Sequence, residues 1–361
     1  MTLLQHSRSL NNMYRDWSLF LDVLRLFAAM LVVHAHMVTS SILDTEDPLE
    51  FGREAVVIFF IMSGYVIAYT SEVKHTGWKD YLAARIARIT SIAYPALALG
   101  FIVAALGVYF SPETYSYIYQ LDGAWKYIAA HSLFLGETSL MTEKPPLNEP
   151  YWSLSYEVWY YFLFAIVFYS KGFLRWLLLI PTVMLMGIKL MILLPVWYAG
   201  VYLYSTKEKP KSNKYWLGAI ISILFLVLLK LLGADTYLRA IIPPSWGLES
   251  ADRFLWDYIV TILILGFFYC VRSIDLSFLD KFSGGIRKYA NYTFALYLTH
   301  NIVLKPFENY LGDEKATWMQ ILLIISVMIV LADIVMTIGD KLKPVINNIT
   351  LKLFNGMNTK A

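Results

Sequence analysis

An all-α, polytopic membrane helix bundle is the fold class that this 361-residue sequence predicts, and three observations predict it. Hydrophobic residues make up 58% of the chain and charged residues only 16%, where a soluble domain carries about 25% charged. Apolar runs long enough to cross a bilayer, which takes about 20 helical residues, recur from residue 18 to residue 338. The remaining charges are sorted by sign from loop to loop. The same composition excludes other classes. A single cysteine, Cys270, leaves no disulfide scaffold. A net charge of +3 in so apolar a chain is too small a basic excess for a nucleic-acid binder.

Taken in order, the candidate spans are 18–38, 54–70, 89–109, 152–169, 172–188, 190–205, 215–233, 254–271, 289–307 and 316–338. The first begins where the polar stretch 1–17 ends, and it lacks the small-residue cleavage site of a secretory signal. The third follows a basic approach, and the fourth follows the Pro-Pro loop 143–150. The seventh follows the short basic connector 207–214. One further apolar stretch, 124–136, is short and interrupted by Lys126 and His131. It reads as a re-entrant or outer-surface helix, because cytoplasmic loops retain Lys and Arg. With that stretch not crossing, one set of loops and tails collects 20 of the 30 Lys and Arg. Ten crossings with both termini cytoplasmic follow, in a single integral-membrane domain with short tails at 1–17 and 339–361. The lipid bilayer is therefore the first partner. Trp246, Tyr115 and Trp152 read mainly as interfacial aromatics.

Ionisable residues inside spans are costly and mark function. The first span carries Asp22, Arg25, His34 and His36. At 100° per residue, Arg25 and His36 return to within about 20° of one face, about 16 Å apart along the axis. Asp22 lies three residues before Arg25 and pairs with it on that face, while His34 points elsewhere. That face should look into a polar cavity. Glu157 enters the membrane in the span beginning at Trp152, near the depth of His36, and a carboxylate with an imidazole makes an acid–base pair. Arg85 and Arg88, at i and i+3, form a forked anion site suited to phosphates.

This combination resembles the acyltransferase-3 family of integral membrane acyltransferases. The resemblance rests on Leu21-Asp22-Val23-Leu24-Arg25 with His36, on Phe59-Phe60-Ile61-Met62-Ser63-Gly64-Tyr65, and on paired Arg85 and Arg88. It rests also on Trp152-Ser153-Leu154-Ser155-Tyr156-Glu157 and, less specifically, on Leu194 through Gly200 and Tyr297-Leu298-Thr299-His300. The pieces occur in the family's order over roughly residues 18–305. The resemblance implies acyl transfer, commonly of acetyl from acetyl-CoA, onto surface polysaccharides or lipid-linked glycans. It also implies that Arg25 and His36 are required and that the Trp152–Glu157 stretch accompanies the active site.

Together these readings lead to a membrane O-acetyltransferase of a bacterial cytoplasmic membrane, with acetyl-CoA as donor and no metal. Arg85 and Arg88 hold the donor phosphates, His36 acts as general base, and Glu157 orients it. Arg25 and Asp22 complete the catalytic set. Ser63 and Gly64 read as a close helix-packing point, and His300 as structural or on the acceptor side. His75 and His131 read as structural or surface residues. The alternative is a transporter or flippase of a lipid-linked saccharide without acyl transfer. An inverted repeat and paired broken helices would signal that class, and the sequence displays neither.

Overall fold

The computed structural model describes residues 3–43, 50–74, 77–118, 124–206, 210–312 and 314–356. His75, connector positions 207–209 and tail positions 1, 2 and 357–361 lie outside them. Among the described residues the chain is helical, without a strand. The order is α1 (Leu3–Thr39), α2 (Gly52–Val73), α3 (Trp78–Phe110), α4 (Pro112–Ile118), α5 (Ala124–Ser132), α6 (Tyr151–Tyr169) and α7 (Gly172–Ser205). Then follow α8 (Tyr215–Leu231), α9 (Ala234–Ala240), α10 (Phe254–Val271), α11 (Ser283–Leu311) and α12 (Trp318–Gly356), with three short 3₁₀ turns between them.

By length and apolarity six of these helices can cross a membrane, and seven if α8 and α9, bent by 58°, form one broken span. That is fewer than the ten apolar runs, for two physical reasons. Helices α6 and α11 are long but polar: α6 is crowded with Tyr, Trp and Ser, and α11 carries Arg287, Lys288, His300, Asn301 and Lys305. The runs 172–188 and 190–205 lie in one continuous helical segment, α7, broken at Gly187 with φ 72°. The residue there is glycine because a left-handed φ penalises a Cβ, and an added Cβ would also meet Ser139 at 3.2 Å.

The break at Gly187 is satisfied from outside. Ser139 donates its N–H to the Leu185 carbonyl at 3.0 Å and its hydroxyl to the carbonyls of Met184 and Leu185, groups that the interrupted helix leaves without partners. Both ends of α7 lie at one end of the bundle. Tyr169, just before α7, packs on Tyr81 of α3, and Tyr204 donates to Glu72 near the end of α2. Gly187 lies at the other end, beside Lys189, which pairs with Glu137, which in turn accepts from Ser250 near the start of α2. The two arms of α7 therefore run in opposite directions.

Helix α2 is the axis of the molecule. It packs along α1 and α7, and its residues 55–62 are almost wholly buried. At its crossing with α7 the backbones touch. A Cβ on Gly64 would collide with the Trp197 carbonyl, and one on Gly200 with the Ile61 carbonyl. Such contact needs glycine on both sides, as is common between membrane helices. Gly64 is thus a packing point, as read from sequence. Helix α5 has nine residues, about 13 Å of helix, too short to cross. Its His131 is fully buried against Tyr151, and burial pushes the imidazole down to about 4.

The first residues of α2 carry charges buried at the same end of the bundle as Gly187. Arg53 forks onto Asp257 of α10 and donates to the Ser250 carbonyl at 2.9 Å. Glu54 accepts from Lys230 of α8 at 2.9 Å and from the Trp256 indole at 2.7 Å. Lys230 also pairs with Asp235 of α9. A buried charge is tolerated when it is paired and hydrogen-bonded, and this network ties α2, α8, α9 and α10 together.

Candidate functional site

Three cavities lie along the face shared by α1 and α2. The central one has about 100 Å³ of room and is walled by α1, α2, α3, α6 and α11. Into it project three guanidinium groups, Arg25, Arg85 and Arg88, and one carboxylate, Glu157. Arg85 is buried, donates to the Thr70 hydroxyl at 3.1 Å and stands over the Tyr81 ring. The spacing expected to fork Arg85 and Arg88 therefore aims both into one chamber. With Asp22 paired to Arg25, the three guanidiniums and Glu157 leave a net positive charge in a low-dielectric wall, which suits an anion because charge–charge attraction strengthens as water is excluded.

Glu157 is held tightly in this chamber. Its Oε1 accepts from the Ser63 hydroxyl at 2.7 Å and from the Tyr161 hydroxyl, one turn along α6. The Ser63 oxygen in turn accepts from the Trp197 indole of α7 at 3.2 Å. Ser63, Gly64 and Trp197 thus act together. The Gly64–Trp197 backbone contact sets the distance at which the Trp197 side chain reaches Ser63.

The proximal cavity, about 240 Å³, is lined by Trp17, Asp22, Arg25, Tyr69, Thr70 and Lys74, among others. Here Arg25 donates to Asp22 at 3.1 Å, the pair expected from their spacing. Arg25 and Val66 belong to both the proximal and the central walls.

The distal cavity is the largest, about 480 Å³. His36 and Thr39 of α1, Arg53 of α2 and Trp152 of α6 line it. Arg239 of α9, with Lys144, Glu249, Asp252 and Arg253 from the connecting segments, completes a wall of mixed sign. Arg53 stands over the Trp152 ring at 5.2 Å. Val56 and Tyr297 belong to both the central and the distal walls and form the partition between them. The Tyr297 hydroxyl is 2.7 Å from that of Ser153 and donates to the Pro150 carbonyl at 3.3 Å, and its ring packs on Phe59.

The structure therefore brings Arg25, Ser63, Arg85, Arg88, Ser153, Glu157 and Tyr297 to one chamber, with Asp22 beside Arg25. It separates Glu157 from His36. The hydrogen-bond partners of Glu157 are on α2 and α6, and the ring beside His36 is His300, with centroids 5.0 Å apart. The expected orientation of His36 by Glu157 is absent from this geometry. Glu157 sits two turns into α6, deeper than His36 is from the end of α1, and it faces α2. Trp152 lines the distal cavity, while Ser155 is buried in α6 and His34 lies in none of the three walls. Arg53 and Tyr161 are cavity-lining residues that the sequence did not single out, and Trp197, within the Leu194–Gly200 stretch, shows its bond to Ser63 only in the fold. Arg53 was signalled by a charge at the edge of an apolar run, and Tyr161 by its i+4 spacing from Glu157. Among the described residues no group of three His, Cys, Asp or Glu stands together as metal ligands.

Residues 18–337 match the family model described as Acyltransferase domain, Acyl_transf_3. No curated protein and no solved structure matches the chain.

Proposed function

Since the chain belongs to this acyltransferase family, we propose that it is a membrane O-acetyltransferase that carries acetyl from acetyl-CoA to a hydroxyl of a surface polysaccharide or lipid-linked glycan. An acyl donor and an acyl acceptor are what the family requires, and an integral multi-pass membrane protein is what the helices build. The observation that supports the finer reading is the series of cavities: cations at the proximal and central chambers, an imidazole at the distal one, and shared walls between neighbours.

In this reading Arg85 and Arg88, with Arg25, hold the donor phosphates by charge-assisted hydrogen bonds. The pantetheine arm extends past Val56 and Tyr297 and presents the thioester carbonyl near His36. The acceptor enters the distal cavity, whose mixed charges and Trp152 suit a hydroxylated ligand. As the hydroxyl oxygen attacks the carbonyl carbon, His36 takes its proton. The C–S bond breaks, CoA leaves as thiolate, and the His36 proton returns to it. Glu157 offsets part of the guanidinium charge and holds Ser63 and Tyr161.

The charge bias of the loops supports both termini on the cytoplasmic side of a bacterial inner membrane. Ten crossings result when both arms of α7, the short α8 and the more polar α6 and α11 are counted. A cysteine at Glu143, exposed in the loop after α5, then reacts with an impermeant reagent from outside, whereas one at Lys209 does not; the reverse pattern inverts the orientation.

The deciding experiment compares the acetyl content of the cell-surface polysaccharide in cells carrying wild type or His36→Ala at equal membrane level. Loss of a general base lowers transfer by roughly 10²- to 10⁴-fold, so the variant should read as background. Full acetyl content with the alanine variant would remove His36 from the chemistry. Measuring the mass difference on the glycan from deletion and parent strains identifies acyl group and acceptor together.

A further inference from the structure

With Glu157 committed to the central chamber, the group that orients His36 has to come from elsewhere. Helix α11 supplies one. His300 is fully buried, and its Nδ1 is 3.2 Å from the Leu296 carbonyl one turn earlier. A carbonyl only accepts, so Nδ1 carries the proton, and in a neutral ring Nε2 is then a lone-pair acceptor. That Nε2 is buried and, among the described residues, has no hydrogen-bond partner. Buried polar atoms are nearly always satisfied, and an exception calls for an explanation.

The explanation lies beside it. The His36 and His300 rings are 5.0 Å apart between centroids and tilted by 53°, too inclined to stack and close enough for a nitrogen-to-nitrogen hydrogen bond. His36 is half-buried at the distal cavity wall. The ring torsion of histidine is broad, so a rotation of His36 in place turns an N–H onto the waiting lone pair. Tyr297, one turn before His300 and 6.1 Å from it, closes the other side.

We propose that His300 is the positioning residue for His36: its Nε2 accepts the His36 N–H, fixes the tautomer and directs the remaining His36 nitrogen at the acceptor hydroxyl. This rests on His36 being the base. His300 touches neither donor nor acceptor. It does for the base what a carboxylate does in a serine triad, with a neutral acceptor in place of a charged one. When His36 becomes imidazolium, the N–H donated to His300 becomes a stronger donor. No carboxylate has to be buried at that depth.

The test uses full-length protein in membrane vesicles that contain the endogenous acceptor, with acetyl-CoA varied, for wild type, H36A, H300F and H300Q. Phenylalanine keeps a ring and removes the acceptor atom. Glutamine returns a carbonyl oxygen near the position of Nε2. The expected result is a kcat about 100-fold lower in H300F, the cost of a misplaced catalytic group, with the KM for acetyl-CoA unchanged. H300Q should recover most of that loss at the same thermal midpoint as H300F, which a packing role alone does not produce. Wild-type kcat in H300F, or equal impairment of H300F and H300Q, overturns the proposal while leaving an inactive H36A, and so the base, in place. Full transfer by H36A overturns the base and this inference together.

Discussion

The central and distal cavities share two wall residues and little else. The central chamber is small, and its polar groups are tied down: Glu157 to Ser63 and Tyr161, Ser63 to Trp197, Arg85 to Thr70. The distal cavity is nearly five times larger, with charges of both signs around its wall. A site that recognises one invariant anionic group gains from rigid preorganised donors. A site that admits a bulky, hydroxylated ligand needs room and mixed polarity. In the proposed function, placing the two on opposite sides of Val56 and Tyr297 separates recognition of the donor from activation of the acceptor.

Four changes break or sharpen that contrast. The largest effect is expected from Arg85→Ala/Arg88→Ala. Losing two charge-assisted hydrogen bonds, each worth about 1.5–3 kcal/mol, should raise the KM for acetyl-CoA by at least about 100-fold and leave that for the acceptor unchanged. Steady-state kinetics with each substrate varied checks it, and an equal rise in both constants would merge the two cavities into one site.

Next comes acid stability on the distal side. His131 is neutral in the fold down to about 4 and unperturbed at 6.5 when unfolded. The unfolded chain therefore takes up the proton first, so the stability from burying a neutral ring is complete above about pH 6.5 and falls as pH drops toward 4. The loss totals about 3 kcal/mol. Thermal midpoints of the detergent-solubilised protein at pH 7 and 5 should diverge in wild type and converge in His131→Phe. A parallel decline in both proteins would assign the acid sensitivity to other groups.

Gly64→Ala is expected to cost about 1–3 kcal/mol of stability by overpacking against the Trp197 carbonyl. Because it spreads α2 from α7 beside the Ser63–Trp197 bond, it should weaken donor binding more than acceptor binding. The smallest effect belongs to Tyr297→Phe. It removes the hydroxyl bonded to Ser153 and Pro150, worth about 1 kcal/mol, and keeps the ring that separates the cavities. Acetyl transfer should fall only a few-fold. Tyr297→Ala, which widens the passage between the cavities, should instead speed the reaction of a cysteine at Met62 with a thiol reagent supplied at the distal side. An unchanged rate in that variant would place the partition elsewhere.

The family match over residues 18–337 and the helical architecture bear out the kind of protein that the sequence motifs pointed to. The Asp22–Arg25 pair was legible because residues three apart on a helix meet whatever surrounds them. The convergence of Arg85 and Arg88 was legible for the same reason. The partners of Glu157, Ser63 and Tyr161, are not legible from depth alone. Depth along a helix follows from residue count, but the neighbour a side chain meets depends on the rotation of its helix and on what packs against it. The hairpin of α7 was half legible: two apolar runs marked two arms, while Ser139 completing the break at Gly187 comes from a loop 45 residues away.

Sequence alone was therefore enough to say that the chain is a bundle of membrane helices, which residues put charge and imidazole inside it, and which family it resembles. These are local properties, written in runs of about 20 residues and in spacings of three and four. Folding settled the company each polar group keeps: Glu157 with Ser63, and His36 with His300. Those pairs join helices far apart in the chain, and their choice comes from packing that minimises unsatisfied polar atoms over the whole bundle, which no single stretch of sequence contains.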